Sequence, residues 1–169
     1  MDGKLLRLAA DTNLLLDLAD NVETALDAVS TIDQRLPDAD WLVPPSVLDE
    51  LAYLCDFGQT QKVRESAQLA FRKLRDEHRF RPLLELPFAP ENAEELAKEF
   101  RARKLLPDEE VHDSLILAET ILLGCGILLT SDEHLWGIDG EQLIWVLSAH
   151  KLAPPVIATP REIVQKFFR

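Results

Sequence analysis

The chain has 169 residues, of which 47% are hydrophobic and 28% are charged, and its formal net charge is −12. This composition is typical of a single globular domain over residues 1–169 and excludes a disordered chain. With no apolar leader and no apolar run of about 18 residues, the sequence predicts a cytoplasmic protein without a membrane segment. The negative charge argues mildly against a nucleic-acid ligand, because such ligands usually meet a basic surface.

The first half of the chain alternates short apolar runs with helical patterns. These predict, in chain order, a strand at 4–10, a short helix to about residue 19, a helix at 22–34 and a strand at 41–43. Ser46 is expected to cap the next helix, which continues to about Phe57. Asp49, three residues later, would close a capping box with Ser46.

The second half has more helix, and residues 58–104 form a longer helical region. The patterns predict, in chain order, a helix at 60–79, a strand at 83–86, a helix at 90–104, a helix opened by Pro107, a strand at 127–130, a helix near 141–149 and a strand at 156–158. Thr159, Pro160 and Glu162 have the spacing of a capped helix start. Short apolar strands separated by helices predict an α/β fold with a central parallel sheet of four to five short strands flanked by helices.

Four acidic residues, here called the acidic quartet, lie where these elements meet: Asp11, Glu50, Asp113 and Asp132. Asp11 and Asp132 directly follow predicted strands, and Glu50 lies early in a helix entered from a strand. Because parallel strands end at one edge of a sheet, these three are expected to converge there. Asp113 lies in a helix that leads into a strand, so topology places it less directly.

Carboxylates beside core-forming runs lose hydration, and carboxylates that lie together also repel one another. A divalent cation is the simplest compensation. Four oxygen ligands without His or Cys favour Mg²⁺ or Mn²⁺ over Zn²⁺, and such sites commonly act on phosphate esters. Taken singly, Asp11 and Asp132 are also explained as helix N-caps. Glu50 alone is also explained as a solvated helix residue, and Asp113 as an exposed acid.

The quartet lies within four motifs: Asp11-Thr12-Asn13, Val47-Leu48-Asp49-Glu50-Leu51, His112-Asp113-Ser114-Leu115-Ile116-Leu117-Ala118 and Leu128-Leu129-Thr130-Ser131-Asp132. In this order and structural context, the motifs resemble those of the PIN-domain nucleases. The resemblance implies a PIN-like domain and a metal-dependent endoribonuclease like the toxins of VapC-type toxin–antitoxin pairs. It also implies hydrolysis of phosphodiester bonds in single-stranded RNA by metal-activated water. An antitoxin partner and a homodimer are expected on the same ground.

The resemblance implies that the acidic quartet is catalytic and binds Mg²⁺ or Mn²⁺. It also implies that Thr12 and Asn13 orient the turn at Asp11. Ser131 is expected to hydrogen-bond a ligating carboxylate. Leu135 stands where many relatives have a further acid. This departure and the acidic composition leave an alternative, a PIN-like binding or scaffold protein without turnover.

One segment of the chain is basic, because residues 59–81 carry seven basic and three acidic side chains. This basic segment is expected either to present a solvated helix face or to contact phosphates, with Arg72, Lys73 and Arg75 as candidate RNA contacts. Arg161 follows the last predicted strand and would share the edge of Asp11 if that strand is parallel to the first. Both a phosphate contact and a salt bridge are consistent with Arg161.

Overall fold

The computed structural model describes residues 5–167. Its strands are β1 (Arg7–Ala10), β2 (Asp40–Val43), β3 (Phe80–Pro82), β4 (Ile127–Leu129) and β5 (Val156–Ala158). They form one sheet in the order β3-β2-β1-β4-β5, and each neighbouring pair is parallel. The predicted α/β class, with a parallel sheet flanked by helices, is confirmed.

Nine helices connect or follow these strands in the described part of the chain. They are α1 (Thr12–Ala19), α2 (Glu23–Arg35), α3 (Pro45–Phe57), α4 (Gln61–Asp76), α5 (Pro90–Ala102), α6 (Val111–Leu122), α7 (Glu133–Trp136), α8 (Gly140–Ser148) and α9 (Pro160–Phe167). The region 58–104 contains α4 and α5, with the edge strand β3 between them. Among residues 5–167, no helix is both long enough and apolar enough to cross a membrane.

The central strand β1 lies between β2 and β4 and is covered on both faces. Leu8, Ala9 and Ala10 have no solvent exposure, which agrees with the uninterrupted apolar run expected of an interior parallel strand. The backbone N–H of Asp11 extends the pairing beyond β1 by donating to the carbonyl of Leu129, at 3.1 Å. The first polar residue after β1 is therefore fixed at the carboxyl edge of the sheet.

Two predicted boundaries in the middle of the chain are wrong. The strand expected at 83–86 is β3, three residues earlier, where Phe80 packs edge-to-face on Trp41 of β2 with ring centroids 5.1 Å apart. This aromatic pair holds the edge strand to β2. The helix expected to open at Pro107 begins at Val111, because residues 107–110 form a turn closed by the Glu110 N–H and the Pro107 carbonyl.

The ends of other elements also differ from the predictions. The helix expected at 60–79 is α4, which ends at Asp76, and the short helix α7 after Asp132 was missed. Residue 4, the start of the predicted strand 4–10, lies outside the described residues.

Ser46 is not the N-cap of α3, so that prediction is wrong. Pro44 occupies the cap position, Pro45 is the first helical residue and Ser46 lies inside the first turn. Pro44 has no side-chain group that can accept from the free amides of the first turn. The predicted start of α9 is confirmed, because Thr159 Oγ1 accepts from the Glu162 N–H at 3.2 Å and Glu162 Oε1 accepts in return from the Thr159 N–H.

Candidate metal centre

The structure brings the acidic quartet to the carboxyl edge of the sheet from four different elements. Asp11 is the N-cap of α1 at the end of β1, and Asp132 is the N-cap of α7 after β4. Glu50 lies in α3, which follows β2, and Asp113 lies in the first turn of α6. Asp11 and Asp132 are therefore helix N-caps as well, and the cap positions fix where both carboxylates lie.

Asp11 is almost fully buried, with 2% of its surface exposed. Its Oδ1 accepts from the Thr12 N–H at 2.7 Å, and its Oδ2 accepts from the Thr130 hydroxyl at 2.5 Å. Burial nevertheless raises its pKa from 3.8 to about 7, and the charges of Glu50 and Asp132 add to this rise. Two hydrogen bonds therefore do not fully replace the lost hydration of this carboxylate.

Asp113 is the least compensated acid of the site. It is 6% exposed, and its Oδ2 is buried without a hydrogen-bond partner among the described residues. Burial is the largest cause that raises its pKa from 3.8 to about 9, followed by the charges of Asp132, Asp11 and Glu110. In the metal-free protein at neutral pH, this carboxyl group is protonated.

Thr12 connects the first two acids of the quartet. Its backbone N–H binds Asp11, and its hydroxyl donates to Glu50 Oε2 at 2.9 Å across the junction of α1 and α3. Thr12 therefore contacts both carboxylates, and its orienting role stays a prediction. Asn13 is half-buried, and its side chain makes no hydrogen bond with another residue of the described chain.

Thr130, which the sequence reasoning missed, takes the role expected of Ser131. The Thr130 hydroxyl donates to Asp11 Oδ2 and accepts from the Asp132 N–H at 3.0 Å, so it joins the ends of β1 and β4. Thr130 is completely buried, whereas Ser131 is exposed. Alternation along the chain could not tell the two residues apart, because Leu128 and Leu129 are both fully buried.

Position 135, where many PIN-domain relatives have a further acid, is a core position in this protein. Leu135 in α7 has no exposed surface and packs in the hydrophobic core. Glu133 is exposed. Glu110 instead lies close enough to raise the pKa of Asp113, and its Oε1 lies 3.4 Å from His134 Nε2. A fifth carboxylate therefore lies near the quartet, but it comes from the turn before α6.

The donor set fits a hard divalent cation. All four side chains offer carboxylate oxygens, and Oδ2 of Asp113, which has no partner among the described residues, is an acceptor that a cation could satisfy. Among residues 5–167, no three acidic, His or Cys side chains already stand close enough to ligate one ion. Chelation by the quartet therefore requires side chains to move inward.

The basic residues expected to contact RNA make no hydrogen bond with the acidic quartet among the described residues. Arg72 is exposed, and Arg75 is paired with Asp76 at 2.9 Å. Lys73 lines a small apolar recess between α1 and α4. Within the described chain, no ion pair joins any of these residues to an acid of the quartet.

Arg161 is exposed in the first turn of α9, which follows β5. Because β5 runs parallel to β4 and β1, α9 begins at the same edge of the sheet as Asp11.

Comparisons with known proteins show which fold the chain shares but do not assign it to a family. No protein-family model and no curated protein matches the sequence. Among solved structures, the chain is similar to a chain of the crystal structure of VapBC2 from Rickettsia felis bound to a DNA fragment from their promoter, with a TM-score of 0.58 and 14% sequence identity. The match covers 91% of this chain and 98% of that chain. At this identity the likeness shows a shared fold.

Proposed function

We propose that this protein is a Mg²⁺- or Mn²⁺-dependent endoribonuclease that hydrolyses phosphodiester bonds in single-stranded RNA. The observation that carries the proposal is the placement of four acidic residues from four elements at the carboxyl edge, with Asp113 Oδ2 buried and without a partner among the described residues. The shared fold with a VapBC2 chain and the resemblance of the motifs to PIN-domain nucleases support the same class.

The acidic quartet would hold the cation. When bound, a divalent cation neutralises phosphate charge and activates water for attack on phosphorus. The residues around the quartet keep its carboxylates in place: Thr130 holds Asp11, and Thr12 joins Asp11 to Glu50. Burial of Asp11 and Asp113 makes their negative charges more effective towards a cation than they would be in water.

The partner proposals rest on the same likeness. The similar structure is a VapBC2 assembly, which supports an antitoxin as a protein partner and the toxin of a toxin–antitoxin pair as the role of this chain. Homodimerisation and a cytoplasmic location stay predictions. Light scattering on the purified protein tests the first of these.

The test of nuclease activity is cleavage of a labelled single-stranded RNA with Mn²⁺ or Mg²⁺. We expect cleavage by the wild type, and at least a hundredfold loss in Asp11→Asn, because that change removes a charge from the quartet while it keeps the size of the side chain. Asp56→Asn is the matched control, since Asp56 is an exposed acid on the same helix as Glu50. Cleavage that survives Asp11→Asn would rule out the proposed site.

RNA binding by the basic segment is a separate proposal. Replacing Arg72, Lys73 and Arg75 with Ala should weaken RNA binding and flatten its dependence on salt, by roughly 0.7 in logarithmic slope for each lost phosphate contact on a single strand. Arg161→Ala tests the carboxyl edge in the same assay. If affinity and salt slope are both unchanged, these residues do not bind RNA.

The alternative, a binding or scaffold protein, is favoured by one observation. The position where many PIN relatives carry a further acid is filled by Leu135, which is fully buried and belongs to the core. A protein that binds Mn²⁺ through the quartet but cleaves no RNA under any metal condition would support this alternative over the nuclease.

A further inference from the structure

A second buried carboxylate lies on the helix that carries Asp113. Glu119 of α6 is only 4% exposed, and it accepts two hydrogen bonds from a single residue of α3. The backbone N–H of Ser46 donates to Oε1 at 2.9 Å, and the Ser46 hydroxyl donates to Oε2 at 2.6 Å. Burial raises the pKa of Glu119, and the two bonds from Ser46 act in the opposite direction.

The start of α3 explains why such a partner is needed. An α-helix begins with free backbone N–H groups, which a side chain of the cap residue normally satisfies. Pro44 provides no such side chain. Glu119 satisfies the Ser46 amide from another helix, and its negative charge lies at the positive end of the α3 dipole. The carboxylate therefore acts as an N-cap supplied by α6.

This contact joins the two helices that hold two acids of the quartet. Ser46 and Glu50 are four residues apart, so they lie on the same face of α3 one turn from each other. Asp113 and Glu119 lie on α6, less than two turns apart. The Ser46–Glu119 bonds therefore fix the start of α3 against α6, one turn from Glu50 along α3 and less than two turns from Asp113 along α6.

We propose that Glu119 is a positioning residue, whose carboxylate holds the start of α3 against α6 and thereby sets Glu50 in place relative to Asp113. Glu119 does not belong to the acidic quartet and does not bind the cation. Its effect on metal binding, which rests on the proposed function, passes through Ser46 and the backbone of α3 to Glu50.

The first test measures Mn²⁺ affinity and the urea midpoint of unfolding in the same variants. Glu119→Ala should raise the Mn²⁺ dissociation constant about tenfold, the size expected when a group that orients a ligand is lost. Glu119→Gln should stay within about twofold of the wild type, because its carbonyl still accepts from the Ser46 N–H and its amide can donate to the Ser46 hydroxyl. Ser46→Ala should change affinity in the same direction as Glu119→Ala but less, since it removes one of the two bonds.

The control is Thr159→Ala, which removes a helix cap of the same kind from α9, a helix without a quartet residue. It should lower stability and leave the Mn²⁺ dissociation constant unchanged. The inference is overturned if Glu119→Ala leaves Mn²⁺ affinity at the wild-type value. It is also overturned if Thr159→Ala weakens binding as much as Glu119→Ala, or if Glu119→Gln behaves like Glu119→Ala.

A second test is independent of any metal. Thr12→Val removes the hydroxyl that donates to Glu50. The loss of stability in this variant therefore measures the bond between Glu50 and α1. If Glu119 sets the position of Glu50, the effects of Thr12→Val and Glu119→Ala on the unfolding midpoint should not add. Additive effects would refute the positioning role. If the wild type binds no Mn²⁺, the proposed metal site is refuted. The comparison of the single and double variants of Thr12 and Glu119 would still decide whether Glu119 positions Glu50.

Discussion

Asp113 and Glu119 lie on one helix and are equally buried, but their surroundings differ. Glu119 accepts two hydrogen bonds from Ser46, whereas Oδ2 of Asp113 has no partner among residues 5–167 and the group faces the charges of Asp132, Asp11 and Glu110. A buried carboxylate with donors can stabilise a fold, because its hydration is replaced. A buried carboxylate among other acids destabilises the metal-free fold when it is ionised. The difference distinguishes a structural acid from a candidate metal ligand.

The largest expected effect of this difference is the pH dependence of stability without metal. The folded-state pKa values of Asp11 and Asp113 are raised from 3.8 to about 7 and about 9. The folded protein therefore binds more protons than the unfolded chain above about pH 4. Their contribution to stability is complete below that pH and is lost as the pH rises through 7 and 9, at about 1.4 kcal/mol per pH unit for each proton.

Urea unfolding at a series of pH values in a chelating buffer measures this dependence. In Asp113→Asn the fall between about pH 7 and 9 should shrink, because the group that titrates there is gone. A wild-type stability that rises over the same interval would show that the two carboxylates are compensated in the metal-free fold.

The next effect is that two substitutions on α6 should change the free energy of unfolding in opposite directions. At pH 8 without metal, Asp113→Asn should stabilise the protein by about 1–3 kcal/mol, because an amide is neutral without taking up a proton, whereas the Asp113 carboxyl group, ionised in the unfolded chain, must be protonated on folding. Glu119→Ala should destabilise it by about 1–3 kcal/mol, because the Ser46 N–H and hydroxyl lose their buried acceptor. Denaturant midpoints measure both, and the same sign in the two variants would abolish the distinction.

The smallest effect concerns Thr130, which joins Asp11 to the backbone of Asp132. Thr130→Val should cost about 1–2 kcal/mol of stability, because it removes one buried and one partly buried hydrogen bond and otherwise keeps the shape of the side chain. Thr130→Ser is the control that keeps the hydroxyl. Equal stability of the Val and Ser variants would show that the hydroxyl does not hold the two strand ends together.

The fold could be predicted from the sequence because its signals are local and repeated. Apolar runs such as Leu8–Ala10 mark interior strands, and Thr159 with Glu162 marks a helix start in both sequence and structure. The edge strand β3 was placed three residues late because the pairing of Phe80 with Trp41 is a tertiary contact.

The placement of two acids at the carboxyl edge could be predicted for the same reason, since Asp11 directly follows β1 and Asp132 comes three residues after the end of β4. The side chains that hold the acids could not. Ser46 looked like a cap because its sequence context fits one, and its true partner Glu119 lies 73 residues away. The sequence pointed to Ser131, which is exposed, and not to its buried neighbour Thr130. Long-range hydrogen bonds of this kind leave no periodic signal in a single sequence.

The central claim, that the acidic quartet binds a divalent cation, is tested most directly by calorimetric titration of Mn²⁺ into the metal-free protein near pH 7.5 in buffers of different ionisation enthalpy. We predict saturable binding accompanied by release of protons, because Asp113 and part of Asp11 are protonated before the cation binds. Binding should be strongly weakened in Asp11→Asn and unchanged in Asp56→Asn. No saturable binding, or binding that Asp11→Asn leaves intact, would contradict the claim.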